Sequence, residues 1–293
     1  MEIRTLKYFL ALAREGSISG AAQSLHITQP TLSRQLKELE YELNTTLFIR
    51  GNRNISLTAD GLLLKKRAQE ITMLVDKTEN DFLHNDKIIN GDLYIGCGES
   101  DAMRTIASVI KEMQSEYPHV KVHLFSGNAD DLTEKLDKGL LDFCIVIEPA
   151  DIKKYDFLKL PGKDKWGLLM PNNSPLCSNK TIKPDDLWNI PILASRQTMV
   201  SNEFSGWLGA DFSSLNIVGT YNLIYNASLM VQEGVGYALC LDKLINTSND
   251  SKLCFRPLFP KLECQLDIIW KKNSVLSSVS LNFLKRLQKR MIE

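Results

Sequence analysis

The sequence lacks long hydrophobic runs. No stretch approaches the about 18 uncharged apolar residues that a membrane-spanning helix requires. The first residues are amphipathic and carry charges at Glu2, Arg4 and Lys7, whereas a signal peptide needs an uninterrupted apolar core. We therefore expect a cytoplasmic protein with no membrane partner. With 293 residues and 44% hydrophobic side chains, the chain can form two or three domains with real cores.

Cysteine is sparse, and none of the six cysteines forms a CxxC pair. Most of them stand in apolar runs such as DFCIVI and YALCLD, where cysteine acts as a small hydrophobic residue. In a cytoplasmic protein we expect reduced thiols. Cys177, in a polar loop, is the best candidate for a redox-sensing thiol.

Histidine is also scarce, and the four histidines complete no persuasive catalytic or metal site. His119 and His123 have the spacing of metal ligands on a helix, but HVKVH is a strand pattern. In a strand the two rings would lie about 13 Å apart, too far to share a metal. GCGES is no GxSxG motif, and Asp101 replaces the last glycine of a GxGxxG. We therefore expect no enzymatic activity, no metal and no cofactor.

Charge is balanced overall, with 35 basic and 35 acidic side chains, but it is unevenly distributed. Residues 1–67 carry 10 basic and 6 acidic side chains, and the remainder carries 25 and 29. A basic N-terminal segment on an acidic body favours a polyanionic partner for that segment.

Two short helices are predicted at the N-terminus. Apolar residues recur at helical spacing over residues 3–14. Ser17 or Ser19 can cap a second helix that ends near Leu25. The small residues of SISGAAQSL would let this second helix approach its neighbours closely.

A third helix is predicted from Gln29 or Pro30 to Leu43, in QPTLSRQLKELEYEL. Proline suits a first helical turn, where its missing N–H costs nothing. Leucine recurs here at helical spacing, and Asn44 can end the helix in the left-handed conformation. A helix, a turn and a helix with a polar start are the pattern of a helix-turn-helix, whose second helix enters the DNA major groove.

A hairpin and a long helix follow. Residues 47–58 contain two short apolar strands around a polar tip, which predicts a wing. The helix runs from about Ala59 to Asn85, a length of about 40 Å. Its apolar residues form a heptad seam, which we expect to pair with a second copy; packing on its own domain is the alternative. The predicted dimerisation residues are Leu64, Ala68, Ile71, Val75 and Phe82.

Candidate DNA contacts cluster at the start of the third helix and in the wing. Glutamine can pair with adenine, arginine with guanine, and basic wing residues with phosphates or the minor groove. The predicted DNA-binding residues are Thr28, Gln29, Pro30, Thr31, Ser33, Arg34, Lys37, Arg50 and Arg53. Structural roles are the alternative for Thr28, as a helix cap, and for Pro30. Glu38, Glu40 and Glu42 should face away from DNA, with Glu40 in an internal pair.

The run AAQSLHITQPTLSRQLKELEYELNTTLFIRGNRNISLTADG resembles the DNA-binding head of the LysR-type transcriptional regulators. The resemblance extends over the whole chain and is carried in this run by Ala21, Ala22, Leu25, Gln29, Pro30, Ser33, Leu39, Glu40, Leu47, Phe48, Arg50, Leu57, Thr58 and Gly61. The sequence departs from the family at Asn44, where glycine is usual, and at Asp60, where a smaller or different residue is common. Asparagine tolerates the same backbone conformation, and Asp60 favours the start of the linker helix.

Beyond residue 92 apolar strands alternate with helices, which predicts a parallel α/β sheet. The pattern restarts after Pro161, so we expect two α/β lobes with the chain crossing between them twice. Strands are predicted at 93–97, 120–125, 143–147, 166–170, 192–195, 217–220, 237–241 and 267–270, and helices from 98 to about 117 and at 130–138, 226–233 and 276–291.

The resemblance implies a fold and an assembly. The fold is an N-terminal winged helix-turn-helix, a long linker helix and a two-lobed α/β effector domain similar to periplasmic binding proteins. The implied bounds are residues 1–58 for the DNA-binding domain, 59–87 for the linker helix, 88–92 for a hinge, 93–161 with 267–293 for lobe I, and 162–266 for lobe II. A homotetramer, formed as a dimer of dimers, would bind a pseudo-palindromic site on double-stranded DNA and change its contact with RNA polymerase.

Ligands of such α/β domains bind outside the carboxyl ends of the strands. The first strand ends at GCGESD, where backbone N–H groups and the Ser100 hydroxyl favour an anion. The resemblance adds further positions, and the predicted effector-binding residues are Ser100, Asp101, Gly127, Asn128, Glu148, Arg196, Thr198, Ser201 and Val235. Alternatively, Ser100 only caps a helix, Arg196 only pairs at the surface, and Glu148 only closes a strand.

The effector class follows from the charges at these positions. Ser100, Arg196 and Thr198 suit a carboxylate or another anion, whereas Glu148 favours a hydroxyl or an amine. We expect a small organic anion or an amino-acid-like metabolite. A periplasmic solute-binding protein is the alternative for the two-lobed body, but the winged head and the missing signal peptide argue against it.

Overall fold

The computed structural model describes residues 1–51, 54–82, 89–196, 202–248 and 250–292. The chain divides into two compact units, Met1–Leu83 and His84–Glu293. In the described ranges no helix is both long enough and apolar enough to cross a membrane.

Three helices open the first unit: α1 (Ile3–Glu15), α2 (Ile18–Ser24) and α3 (Gln29–Leu43). The predicted caps are confirmed. The Ser17 side chain accepts a hydrogen bond from the Gly20 N–H, and the Thr28 side chain accepts one from the Thr31 N–H. Asn44 ends α3 in the left-handed region, with φ 49°.

Small and branched residues build the core of this unit. Ala21 of α2 is fully buried, as are Leu32 and Leu36 of α3 and Phe9 of α1. Leu25 and Ile27 pack against the same cluster from the turn between α2 and α3. The predicted close approach of the helices is confirmed, because a larger side chain at position 21 would meet this packed interior.

The wing is a two-stranded antiparallel sheet of β1 (Phe48–Arg50) and β2 (Ile55–Leu57), with Phe48 opposite Leu57. Helix α4 (Ala59–Phe82) follows directly. A Cβ atom at Gly61 would lie 2.0 Å from the Leu47 carbonyl oxygen, so this position admits only glycine without a backbone shift. The close approach locks the start of α4 against the wing.

Helix α4 buries one face in its own unit. It packs along α1, and Lys7 Nζ lies 2.9 Å from Asp76 Oδ1. Ala68 is fully buried and Thr72 is 8% exposed, which at this part of the helix fits the alternative of packing on its own domain; contact of Ala68 with a second copy stays a prediction. Leu64 also packs partly against the head core.

A second, exposed stripe runs along α4 beside the buried face. It consists of Leu63, Ile71, Leu74 and Phe82, which are 59%, 37%, 43% and 86% exposed. These positions recur at the spacing of one helix face. The predicted seam is therefore split, with Leu64 and Ala68 turned inward, and Ile71 and Phe82 facing outward.

The second unit contains, in chain order, β3 (Gly91–Cys97), α5 (Met103–Glu116), β4 (Val120–Ser126), α6 (Ala129–Asp137), β5 (Phe143–Ile147), β6 (Tyr155–Lys159), β7 (Asp164–Pro171), β8 (Ile192–Ser195), α7 (Asn202–Leu208), β9 (Ile217–Tyr221), α8 (Ile224–Gln232), β10 (Tyr237–Leu241), β11 (Leu253–Pro257), β12 (Glu263–Cys264), β13 (Leu266–Lys271) and α9 (Ser278–Ile292). Short 3-10 turns span Pro175–Ser178, Pro184–Leu187 and Phe212–Ser214.

These strands form two sheets. The first has the order β4-β3-β5-β13-β6, and the second has the order β11-β7-β10-β8-β9, with β12 beside β7. Strands β3, β4 and β5 are parallel, as are β8, β9 and β10. The chain passes from the first sheet to the second after β6 and returns through β13.

The predicted parallel pairing is present in both sheets, but it does not extend to all of their strands. Strand β13 runs antiparallel to both β5 and β6, and β7 runs antiparallel to β10 and β11. Each sheet thus combines a group of parallel strands with strands that run antiparallel to a neighbour. Strands β6, β11 and β12 and helix α7 were not predicted, because each is short and the strands depend on partners distant in sequence.

Candidate nucleic-acid interface and ligand crevice

The predicted DNA-binding residues of α3 form one surface, called here the recognition surface: Thr28, Gln29, Pro30, Thr31, Ser33, Arg34 and Lys37. Ser33 is half-buried, and the others are exposed. Leu32 and Leu36 on the opposite side of α3 are fully buried. The buried leucines fix the rotation of α3, and this rotation presents the polar row to solvent.

Thr28 and Pro30 have structural roles at the helix start. The Thr28 hydroxyl oxygen accepts the Thr31 N–H at 3.4 Å, and the two threonine hydroxyl oxygens lie 2.8 Å apart. Pro30 stands in the first turn, where no intrahelical N–H bond is lost. Thr28 and Pro30 therefore have the structural roles given above as the alternative to DNA contact. Both side chains are also exposed at the recognition surface.

The wing is tied to the recognition surface through Arg50. Its Nη2 donates a hydrogen bond to Ser33 Oγ at 3.1 Å, and its guanidinium lies 5.9 Å from the centre of the Phe48 ring. This contact places one guanidinium between the wing and α3. The other predicted wing residue, Arg53, lies outside the described residues.

The acidic residues of α3 agree with the prediction at Glu40 but not at Glu38. Glu40 is satisfied internally, as expected: its Oε1 accepts the N–H groups of Leu47 and Phe48 at 2.7 and 3.4 Å. Glu38 does not face away, since its Oε1 lies 3.6 Å from Arg34 Nε on the exposed side of the helix. Arg34 and Glu38 are four residues apart, about one helical turn, so they share one face of α3. The Glu38 carboxylate therefore partly neutralises the charge of Arg34.

A crevice opens between the two sheets at the carboxyl ends of their parallel strands. It is lined by Gly98, Glu99, Gly127, Asn128, Ile147, Trp166, Ser195, Arg196, Tyr221, Asn222, Ile224, Cys240, Leu241 and Leu244. A neighbouring depression is lined in part by Cys97, Glu99, Ser100 and Met103. Three predicted effector residues, Gly127, Asn128 and Arg196, thus meet in the crevice. Asp101, Glu148 and Val235 do not line it, and Thr198 and Ser201 lie outside the described residues.

Ser100 is turned away from solvent. It is 7% exposed, and its hydroxyl oxygen accepts the Ala102 N–H at 3.0 Å. Burial raises the pKa of Asp164, and a hydrogen bond from Ser100 partly offsets this effect. The alternative role of Ser100, as a structural residue at the start of α5, fits these contacts. Asn128 is similarly occupied, because its Oδ1 caps α6 by accepting the Asp131 N–H at 2.8 Å.

Asp101 lies at the edge of the crevice in an ion-pair network. Its carboxylate is 2.6 Å from Arg104 Nε and 3.2 Å from Lys243 Nζ. The hydrogen bond from Arg104, joined by Lys243, holds the pKa of Asp101 below its ordinary value. Since Asp101 belongs to the segment after β3 and Lys243 to the segment after β10, the pair links the two sheets.

Glu148 does not line the crevice and lies near a buried carboxyl group instead. Glu148 Oε1 lies 3.6 Å from Lys159 Nζ. Asp267 nearby on β13 is completely buried, and neither of its carboxyl oxygens has a hydrogen-bond partner among the described residues. Burial, reinforced by the Glu148 carboxylate, raises the pKa of Asp267 to about 6. This buried acid was not anticipated from the sequence.

Cys177 has the environment of an inert thiol. Burial and the adjacent Cys254 thiol raise the pKa of Cys177 to about 12. Thiolates, not thiols, react with oxidants, so at neutral pH almost no Cys177 is in the reactive form. This environment opposes the redox-sensor hypothesis.

Comparison with known protein families gives the two units their identity. Residues 3–62 match the model described as a bacterial regulatory helix-turn-helix protein of the lysR family, and residues 88–292 match the LysR substrate binding domain. The chain belongs to the LysR family of transcriptional regulators. The predicted family, fold class and general function are confirmed: this regulator has a helix-turn-helix DNA-binding domain and an effector-binding substrate domain. The alternative of a solute-binding protein fails on the first of these matches.

Curated relatives extend over nearly the whole chain. The regulator is 27% identical over 298 residues to the Hca operon transcriptional activator HcaR of Escherichia coli, covering 99% of this chain and 98% of HcaR. It is 26% identical over 260 residues to the transcriptional regulator IlvY of Escherichia coli, covering 85% of this chain and 84% of IlvY. These relatives are transcriptional regulators.

Solved structures share the fold. CbnR in complex with its target DNA has a TM-score of 0.77 at 19% identity, with 99% of both chains covered. Full-length BenM has a TM-score of 0.54 at 23% identity, covering 100% of this chain and 97% of BenM. At these identities the likeness establishes the architecture of the LysR regulator, and the roles of individual residues follow from its own geometry.

Proposed function

We propose that this regulator inserts the recognition surface of α3 into the major groove of a promoter site, with the wing beside it on the DNA backbone. The observation that carries the proposal is the exposed polar row, held in place by buried Leu32 and Leu36. Arg34 and Gln29 have the side chains that pair with guanine and adenine edges. Arg50, at the wing, and Lys37 contact phosphates. Arg53 remains a predicted wing contact.

A gel shift with the regulator's own upstream DNA tests this function. Binding should weaken steeply as salt rises, because lysine and arginine release counterions from the phosphates. Arg34→Ala should weaken specific binding by about 1–3 kcal/mol and relax one base position in the footprint. Arg14→Ala removes an equal charge from the end of α1, where Arg14 pairs with Glu15, and serves as the matched control. An identical footprint for the Arg34 variant would remove this residue from the recognition surface.

We further propose that two copies pair through the exposed stripe of α4, formed by Leu63, Ile71, Leu74 and Phe82. An exposed apolar stripe on a long helix is stabilised when a second helix covers it. Pairing in this way presents two α3 helices to a pseudo-palindromic site on double-stranded DNA. Val75, which is half-buried, joins the edge of the contact. Two such dimers would form the homotetramer.

The effector that fits the crevice is a small organic anion or an amino-acid-like metabolite. Arg196 on the rim supplies a positive charge, and the Asn222 side chain supplies neutral hydrogen-bonding groups. Glu99 within the crevice supplies a negative charge, which favours an amine beside the anionic group. A thermal-shift screen of amino acids and small carboxylates on the full-length protein tests the class. Stabilisation by neutral sugars alone would contradict it.

Effector binding regulates transcription only if the two arrangements of the assembly bind the effector with different affinity. We place the regulator in the cytoplasm, where it meets the promoter and RNA polymerase without a membrane partner. The curated relative HcaR is an activator of its operon by name, which supports a promoter-proximal role for this chain.

A further inference from the structure

Helix α8 begins without a cap of its own. The residue at its N-cap position is Leu223, which has the extended backbone of a cap (φ −126°, ψ 138°) but no side-chain acceptor. The first N–H groups of any α-helix have no partner within the helix, and serine, threonine, aspartate or asparagine normally supplies one. The start of α8 therefore depends on an acceptor from elsewhere in the fold.

Glu99 supplies this acceptor from the opposite sheet. Its Oε2 accepts the Ile224 N–H at 2.5 Å, from a position 125 residues earlier in the chain. Glu99 follows β3 of the first sheet, whereas α8 follows β9 of the second. A carboxylate at a helix N-terminus also interacts favourably with the helix dipole. The bond thus joins the two sheets across the crevice.

The surroundings of Glu99 place its charge inside the crevice rather than in open solvent. Glu99 is half-buried, and both it and Ile224 line the crevice. Burial raises the pKa of Tyr221 and of Cys240, and the negative charge of Glu99 adds to the effect in both cases. Tyr221 and Cys240 lie near the ends of β9 and β10, the two strands that flank β8 in the second sheet. The Glu99 carboxylate is therefore close enough to interact electrostatically with Tyr221 and Cys240 of the second sheet.

We infer that Glu99 is a latch: it caps α8 across the crevice and holds the two sheets in the arrangement adopted without effector. The inference rests on the proposed effector crevice, because a molecule that enters between Glu99 and Ile224 must break this bond. A second link, between Asp101 and Lys243, lies nearer the surface and is weakened by solvent. Glu99, rather than Ser100, is then the residue of GCGES that couples the crevice to the arrangement of the sheets.

Hydrogen exchange on the full-length protein tests the latch, with peptides covering residues 222–232. Glu99→Ala should speed exchange at the start of α8 about fivefold, the change expected for loss of a helix cap. Glu99→Gln keeps the size of the side chain and a neutral acceptor, so it should fall between wild type and Glu99→Ala. Asp101→Ala removes the other link between the sheets but no cap, and it should leave these amides protected.

A second experiment tests whether a cap from the helix's own chain can replace Glu99. Leu223→Asp in the Glu99→Ala background gives α8 a cap from its own chain and should restore protection of the first turn. Unchanged exchange in Glu99→Ala would overturn the inference, as would equal acceleration in Asp101→Ala. Failure of Leu223→Asp to restore protection would also count against capping as the cause. None of these measurements uses DNA or effector, so a failed gel shift would refute the proposed function without affecting them.

Discussion

Asp267→Asn should make the regulator more stable above neutral pH and remove part of its pH dependence. Asp267 is completely buried, and its carboxyl oxygens have no hydrogen-bond partner within the described ranges; burial beside Glu148 raises its pKa from 3.8 to about 6. In the folded protein the group therefore holds its proton more tightly than in the unfolded chain. The stability that this proton provides is present below the unfolded pKa and is lost as pH rises through about 6.

The size of the effect follows from the shift. One pKa unit corresponds to about 1.4 kcal/mol, so a shift of roughly two units makes the ionised carboxylate cost about 3 kcal/mol. Asparagine has a similar shape and no charge at any pH. The stability of Asp267→Asn relative to wild type should thus rise by about 3 kcal/mol between about pH 4 and about pH 8. For a unit of about 200 residues this corresponds to roughly 6–12 °C in Tm.

Differential scanning calorimetry of both proteins across this pH range measures the change. Glu148→Gln removes the neighbouring charge that helps to raise the pKa of Asp267, so it should shrink the pH dependence without abolishing it. Asp156→Asn, at an exposed position on β6, controls for the loss of one carboxylate. If the difference between Asp267→Asn and wild type is the same at both ends of the pH range, the argument from burial is refuted.

Three further outcomes are expected. Ile71→Glu places a charge in the exposed stripe of α4 and should yield monomers in analytical ultracentrifugation. The control Gln69→Glu, on another face of the helix, should remain dimeric at the same concentrations. Persistent dimers of the Ile71 variant would refute the proposed stripe. Gly61→Ala drives a Cβ atom into the Leu47 carbonyl and should destabilise the head by at least about 1–3 kcal/mol in thermal unfolding, whereas Gly206→Ala, with open space around it, should not. Hydrogen peroxide should leave Cys177 unmodified in intact-mass spectra at neutral pH, and rapid selective oxidation would contradict the raised pKa.

The N-terminal unit could be predicted from the sequence almost to the residue, for local reasons. Ser17, Thr28 and Asn44 carry out their capping roles through contacts within a few residues, so the sequence pattern contains both partners. The buried stripe of α4 could not be predicted in this way. Ala68 and Ile71 are equivalent in a heptad pattern, and only the packing of α1 along α4 separates them.

The crevice was predicted less well, because its chemistry depends on distant partners. The Ser100 hydroxyl at the end of a strand predicts an anion contact, but in the structure it bonds locally to the Ala102 N–H and lies near Asp164. The sequence does not indicate the role of the adjacent Glu99, because its partner is 125 residues away, at the start of the helix that follows β9. Leu223 cannot cap the helix that follows it, and this indicates that the first N–H groups of the helix need an acceptor from elsewhere. The sequence does not reveal which residue supplies that acceptor.

The packing of α1 along α4 has a consequence for the DNA. Because α1 packs along α4 and Lys7 pairs with Asp76, we expect the head and the linker helix to turn as one piece. In a dimer held by α4, neither protomer can then adjust the separation of its recognition helix by bending at the head. We therefore expect such a dimer to accept half-sites only at separations of whole turns of the duplex, about 10 base pairs. An operator lengthened by half a turn presents its second half-site on the far side of the DNA, beyond reach of the second head.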